Sequence, residues 1–223
     1  DYTVEGYTDE ELIDLSASAP ETLTVEELLY SATLFDSVND KYTIYASCAT
    51  VHADDLRGHN NSGVCLMEMG RRNQAKKAFN KANSLDANNK AVLNNLGAIA
   101  RQEGNIDNAE ALLAKAGSSS ETSYNKGLVA ITLGNYDAAI SSMSGSTSVN
   151  LALAKLLNGD ANGAKTTLQN SNDESAIASY VLAICCARLD DSAGAKANLD
   201  AALTKDSSLE AKAKADLEFD GIE

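Results

Sequence analysis

The 223-residue sequence predicts an all-α protein made of stacked helix pairs, and three observations carry that reading. Composition favours helix, since 36 Ala and 26 Leu stand against a single Pro and no Trp, and Pro is the strongest helix breaker. A set of landmark residues recurs at intervals of about 25 to 34 residues, the period range of helical-repeat arrays. Two Thr-x-x-Glu boxes lie just ahead of apolar runs, where each marks a helix start.

Taken in order, Thr8-Asp9-Glu10-Glu11 opens a first helix with Leu12, Ile13 and Leu15 as its apolar stripe. Thr24-Val25-Glu26-Glu27 opens a second, striped by Leu28, Leu29, Ala32 and Phe35, and Asp40 to His52 reads as a third. Residues 1–53 are therefore expected to be N-terminal helices ending in a degenerate repeat or cap. The repeats follow over 54–206. Asn61-Ser62-Gly63, Gly70, Ala75, Phe79 and Ala82 return 34 residues later as Asn95-Leu96-Gly97, Gly104, Ala109, Leu113 and Ala116. A third copy reads Asn125-Lys126-Gly127, Gly134, Ala139, Met143, and a fourth Asn150-Leu151-Ala152, Gly159, Ala164, Leu168. A fifth keeps Leu182-Ala183, Ala195, Leu199 and Ala202, with Asp190 in place of the turn glycine. Ser118 to Ser120 and Ser144 to Ser148 mark short connections. Residues 207–223 read as a polar-faced C-terminal capping helix, with Ala alternating with Lys and Glu from Leu209 to Phe219.

These landmarks resemble the tetratricopeptide repeat, with an N-L-G-like step in the first helix of each pair, a turn glycine, and Ala…Phe…Ala in the second. The resemblance implies about five helix pairs in a right-handed α-solenoid. Gly63, Gly97, Gly127 and Ala152, with Ala75, Ala109, Ala139 and Ala164, let two helices approach. Phe79, Leu113, Met143 and Leu168 would fill the gap to the next pair. The early aromatic of the first helix is replaced by His59, Leu93 and Ser123, and copies three and four are short, so irregular curvature is expected.

Tyr7 to Leu12, Val25 to Thr33, Tyr124-Asn125-Lys126-Gly127 and Ala211 to Phe219 also resemble the repeat region of large exported proteins of Bacteroides-type bacteria, where an OmpA-like region precedes the repeats. That likeness implies a cell-envelope, periplasmic location and flanking domains of a longer chain. The absence of Met and of a basic-then-apolar leader at Asp1 fits a removed signal or an excised piece.

Charge narrows the partners. Eighteen Lys and Arg against 32 Asp and Glu give a net charge of −14, which repels nucleic acid over most of the surface. No apolar run is long enough to cross a bilayer, so direct membrane insertion by this segment is not expected. Catalytic chemistry finds little to work with. The two histidines, His52 and His59, lie with Cys48 and Cys65 in a spacing that matches no common zinc site. Adjacent acids such as Glu26-Glu27 and Asp190-Asp191 suit helix starts and turns, and no phosphate-binding glycine loop follows a strand. No metal, cofactor or disulfide framework is expected, and the four cysteines read as buried thiols.

One constellation stands out. Asn61, Asn95, Asn125 and Asn150 each precede the small first-helix residue by two positions. In tetratricopeptide repeats that position faces the concave groove, where a primary amide both donates to and accepts from an extended peptide. Arg57, Arg101, Val64, Met67, Tyr124 and Leu128 fall near the same face on helical spacing. The other reading is that each Asn simply bonds a neighbouring helix or water. The expectation is a non-enzymatic scaffold binding a peptide or protein segment, with a structural spacer or oligomerisation module as the alternative.

Overall fold

A computed structural model describes residues 6–222 and, among them, fourteen α-helices and no strand. Contacts divide the chain into two compact units, Asp1–Ser118 and Ser119–Glu223. The first holds α1 (Asp9–Ser18), α2 (Val25–Thr33), α3 (Val38–Val51), α4 (Leu56–Glu68), α5 (Arg72–Leu85), α6 (Lys90–Gln102) and α7 (Ile106–Ala116). The second holds α8 (Ser120–Thr132), α9 (Tyr136–Ser142), α10 (Val149–Leu157), α11 (Ala161–Gln169), α12 (Ala176–Arg188), α13 (Ser192–Lys205) and α14 (Glu210–Ala215).

Side chains set most helix starts. Thr8 and Thr24 accept from the backbone N–H of Glu11 and Glu27, whose carboxylates accept from the Thr8 and Thr24 amides in return. Ser37, Ser119 and Ser148 cap α3, α8 and α10 in the same sense; Ser119 sits in a three-residue link as expected, whereas the link ending at Ser148 has six residues and is not short.

Each antiparallel pair is joined by one device. In α4/α5, α6/α7, α8/α9, α10/α11 and α12/α13 the first helix ends on a left-handed residue: Gly70, Gly104, Gly134, Gly159 or Asp190, with φ between 59° and 88°. The N–H of the next residue then reaches back to a carbonyl five positions earlier, as from Asn105 to Ala100 at 2.9 Å, which is the Schellman closure. That same residue also opens the second helix. Asn105, Asn135, Asp160 and Asp191 accept from the N–H three residues on. Gly163 and Gly194 stand at that third position, where a Cβ would come within 2.0 Å and 2.3 Å of the capping carboxylate. Arg71 of α5 is the exception, for its side chain makes no cap.

Glycine also sets the separation within each pair. A Cβ on Gly63 would lie 2.5 Å from the Phe79 ring, one on Gly97 2.8 Å from Leu113, and one on Gly127 2.6 Å from Met143. The large second-helix residue therefore seats on the small residue of its own pair, which the sequence reading had given only to the gap before the next. Phe79 does both, since Val92, Leu96 and Ile99 of α6 join it in one apolar cluster with Leu66 and Ala75. Between α3 and α4 it is backbone that meets the glycine. A Cβ on Gly58 would lie 2.7 Å from the backbone N of Ala49.

The C-terminal capping helix is shorter than the sequence suggests. α14 spans six residues between two 3-10 turns, and Asp216 ends it by capping the turn at Leu217–Phe219. The segment is anchored on α12. Tyr180 donates to Asp216 at 2.8 Å and meets Phe219 edge-on at 5.4 Å, while Arg188 holds Glu218 and donates to the carbonyl of Leu156 at 2.8 Å.

Candidate functional site

The asparagine row divides between the units, so each half is described by itself. In the first unit the amides form a relay. Asn95 of α6 donates to Oδ1 of Asn60 on α4 at 3.0 Å, Asn60 donates to Oδ1 of Asn61 at 3.2 Å, and Asn94 donates to Oδ1 of Asn95 at 3.5 Å. All four are half-buried. The Nδ2 of Asn61 ends the relay with no acceptor among the described residues. In the second unit Asn150 of α10 donates to the Tyr124 hydroxyl of α8 at 2.6 Å. Both units repeat one rule: the row amide reaches the residue just before the row position in an earlier pair. Asn60 and Asn94 escaped the sequence reading because they fall one residue outside the recurring landmarks.

The flanking residues are placed unequally. Arg57 is held by two acids: its Nη2 pairs with Glu26 of α2 at 2.9 Å and with Asp55 at 2.7 Å, and its Nε donates to Asp55 at 3.0 Å. The Arg57 hydrogen bonds hold Glu26 and Asp55 below the ordinary carboxylate range. Met67 is half-buried against the Phe79 cluster, which takes it partly into the core. Val64 is 37% exposed. Arg101 lies half-buried in the last turn of α6, and Asn125 and Leu128 are half-buried on α8. Tyr124 also borders a cavity of about 360 Å³ lined by Ser120, Ser123, Met143 and Ser146.

Nothing in this arrangement resembles an activated nucleophile. His52 and His59 each place Nε2 on a backbone carbonyl, of Leu23 at 2.8 Å and Ala53 at 3.1 Å. Cys48, Cys65, Cys185 and Cys186 are buried free thiols, and burial pushes Cys48 and Cys185 up to about 11, away from thiolate chemistry. Among the described residues no group of three His, Cys, Asp or Glu is arranged to hold a metal ion, and no helix is long and apolar enough to cross a membrane.

Residues 56–89 and 120–150 match the tetratricopeptide repeat. Solved structures resemble the chain at identities that speak to fold alone. One is the anaphase-promoting-complex hetero-tetramer Cut9–Hcn1, at 15% identity and a TM-score of 0.77 over 95% of this chain; the chain spans 44% of that one. A tetratricopeptide repeat protein from Parabacteroides merdae gives 16% identity and a TM-score of 0.66, covering 92% of this chain and 88% of that one. PilF of Pseudomonas aeruginosa gives 15% and 0.61, with 95% and 96% covered. No curated protein sequence matches the chain. The fold is all-helical and of the tetratricopeptide-repeat type, with the family match confined to residues 56–89 and 120–150.

Proposed function

We propose that the chain is a non-enzymatic scaffold that holds an extended peptide or protein segment against its asparagine-bearing first helices, on α4 and α6 of the first unit. The observation that carries this reading is the open end of the amide relay. Asn61 keeps an unfilled donor on a half-buried, neutral face that already spans two helices, and a peptide carbonyl is its natural acceptor. A solved relative of the same fold was captured within a hetero-tetramer, Cut9–Hcn1. The competing reading, a structural spacer, has its own support: Asn95 and Asn150 spend a donor each on a neighbouring helix.

The two readings part under mutation. A neutral amide contact contributes about 0.5 to 1.5 kcal/mol, so Asn61→Ala weakens a captured peptide by about 2- to 12-fold. Partners are pulled from an envelope extract and both proteins compared by calorimetry. Equal affinity, or no partner retained by either, favours the spacer. Under the same proposal the chain is part of a longer exported cell-envelope protein of the OmpA-like kind, resting on the resemblance of its terminal runs. Fractionation that recovers the native protein in the cytoplasm would overturn that placement.

A further inference from the structure

α5 carries cations that its own unit leaves unneutralised. Arg71, Arg72, Lys76, Lys77 and Lys81 fall within eleven residues that include no acid. Lys76 pairs with Glu103 at 2.7 Å. Arg71, Arg72, Lys77 and Lys81 are exposed and make no ion pair among the described residues. This row is retained against local physics. Lys77 and Lys81 are like charges one turn apart. Arg71 and Arg72 sit at the positive end of the helix, where the four other second helices place an Asn or Asp cap.

The complementary charge lies in the same unit. Residues 6–68 carry twelve Asp and Glu against Lys41 and Arg57 alone. Glu10 and Asp14, one turn apart on α1, and Glu21 just after it are exposed and make no ion pair among the described residues. We propose that the cationic face of α5 docks the acidic face of α1 on a second copy of this chain. The two rows match in pitch, because residues four apart rise about 6 Å along any α-helix.

Other occupants fit less well. An anionic membrane would meet a helix whose apolar residues are buried, as Ala75, Phe79 and Ala82, or partly so, as Ala78 and Leu85, leaving little to insert. A nucleic acid would meet a chain of net charge −14. Since the two docking faces differ, the contact is heterologous and each associated pair keeps one free face of each kind. Association therefore extends with concentration and weakens as salt screens it. It stands independently of the amide relay, which lies on α4 and α6.

Sedimentation velocity over a concentration series, at about 20 mM and about 500 mM salt, tests the contact. Wild-type association is expected at low salt and its loss at high salt. The variant Arg71→Asn, Arg72→Gln, Lys77→Gln, Lys81→Gln is expected to associate about five- to tenfold more weakly, with circular dichroism unchanged. Lys77→Glu with Lys81→Glu, and separately Glu10→Lys with Asp14→Lys, each abolish self-association, and mixing the two restores it. A wild-type chain that stays monomeric at low salt, a mixture that fails to associate, or binding of α5 to anionic phosphatidylglycerol vesicles without self-association would overturn the proposal.

Discussion

Gly58→Ala is expected to be the most damaging single-methyl change in the first unit. The added Cβ would lie 2.7 Å from the N of Ala49, 3.0 Å from its Cα and 3.1 Å from the carbonyl carbon of Cys48. All three are backbone atoms of α3, so no rotamer relieves the overlap; α3 and α4 must separate by roughly 0.5 to 1 Å to restore contacts of about 3.5 Å. That movement opens the packing around Cys48 and Ile44, which are 0% and 3% exposed. Overpacking of this kind costs about 1 to 3 kcal/mol, and the better helix propensity of Ala returns about 0.5 to 1 kcal/mol. The net loss is about 1 to 2 kcal/mol, or a melting temperature lower by about 2 to 8 °C for a chain of this size. Gly127→Ala is the milder comparison, because its Cβ meets Cε and Cγ of the Met143 side chain at 2.6 Å, which can swing aside, and backbone only at the Ala139 carbonyl, 3.3 Å away. Thermal melts followed by circular dichroism decide the matter. A Gly58→Ala protein as stable as wild type, or more stable than Gly127→Ala, would refute the account of helix approach.

Asp190→Gly should raise stability by up to about 1 kcal/mol, since Asp190 holds φ 59° where the other four turns use glycine; Gly104→Ala should lower it, and urea midpoints in the opposite order would contradict the turn geometry. Native protein at about pH 8 should react with a thiol reagent slowly, and unfolding should release four thiols, because burial raises the thiol pKa and favours the protonated form. Fast native labelling would contradict it. The Asp191 carboxylate is lowered first by the Gly194 N–H and then by Lys165. A lowered carboxylate stabilises the fold above its ordinary pKa of about 4, and that contribution is lost as pH falls through the folded value. The stability gap between wild type and Asp191→Asn, measured by urea melts, should therefore shrink below about pH 4; a gap constant with pH would argue against the linkage.

Much of this fold could be read from spacing alone, because its landmarks are local. Gly104 ends a helix and Asn105 starts the next within two residues, and a single sequence carries such signals directly. The Gly63–Phe79 contact was only half legible: both positions recur in step, but spacing alone assigns Phe79 to the next pair and not to Gly63 of its own. Gly58 was not, because what it meets is the backbone of α3, which lies outside the repeats. The partners of Arg57 were hidden for a similar reason: Glu26 lies 31 positions earlier, and only the folded chain brings α2 to it. In the asparagine row the register was visible, whereas Asn60 and Tyr124 as its hydrogen-bond partners appear only when successive first helices stand side by side.

The residue that seals one helix and launches the next has a consequence for how such a chain can change length. From α4 to α5, and at each corresponding turn through α12 to α13, three residues intervene. One extra residue there would part the seal from the cap and unlock both helix ends at once. The links from α9 to α10 and from α11 to α12 are six residues long and carry no shared hinge. Loop grafts, affinity tags and protease sites thus belong near Gly145 or Asp173, on the side of each pair where no single residue serves two helices.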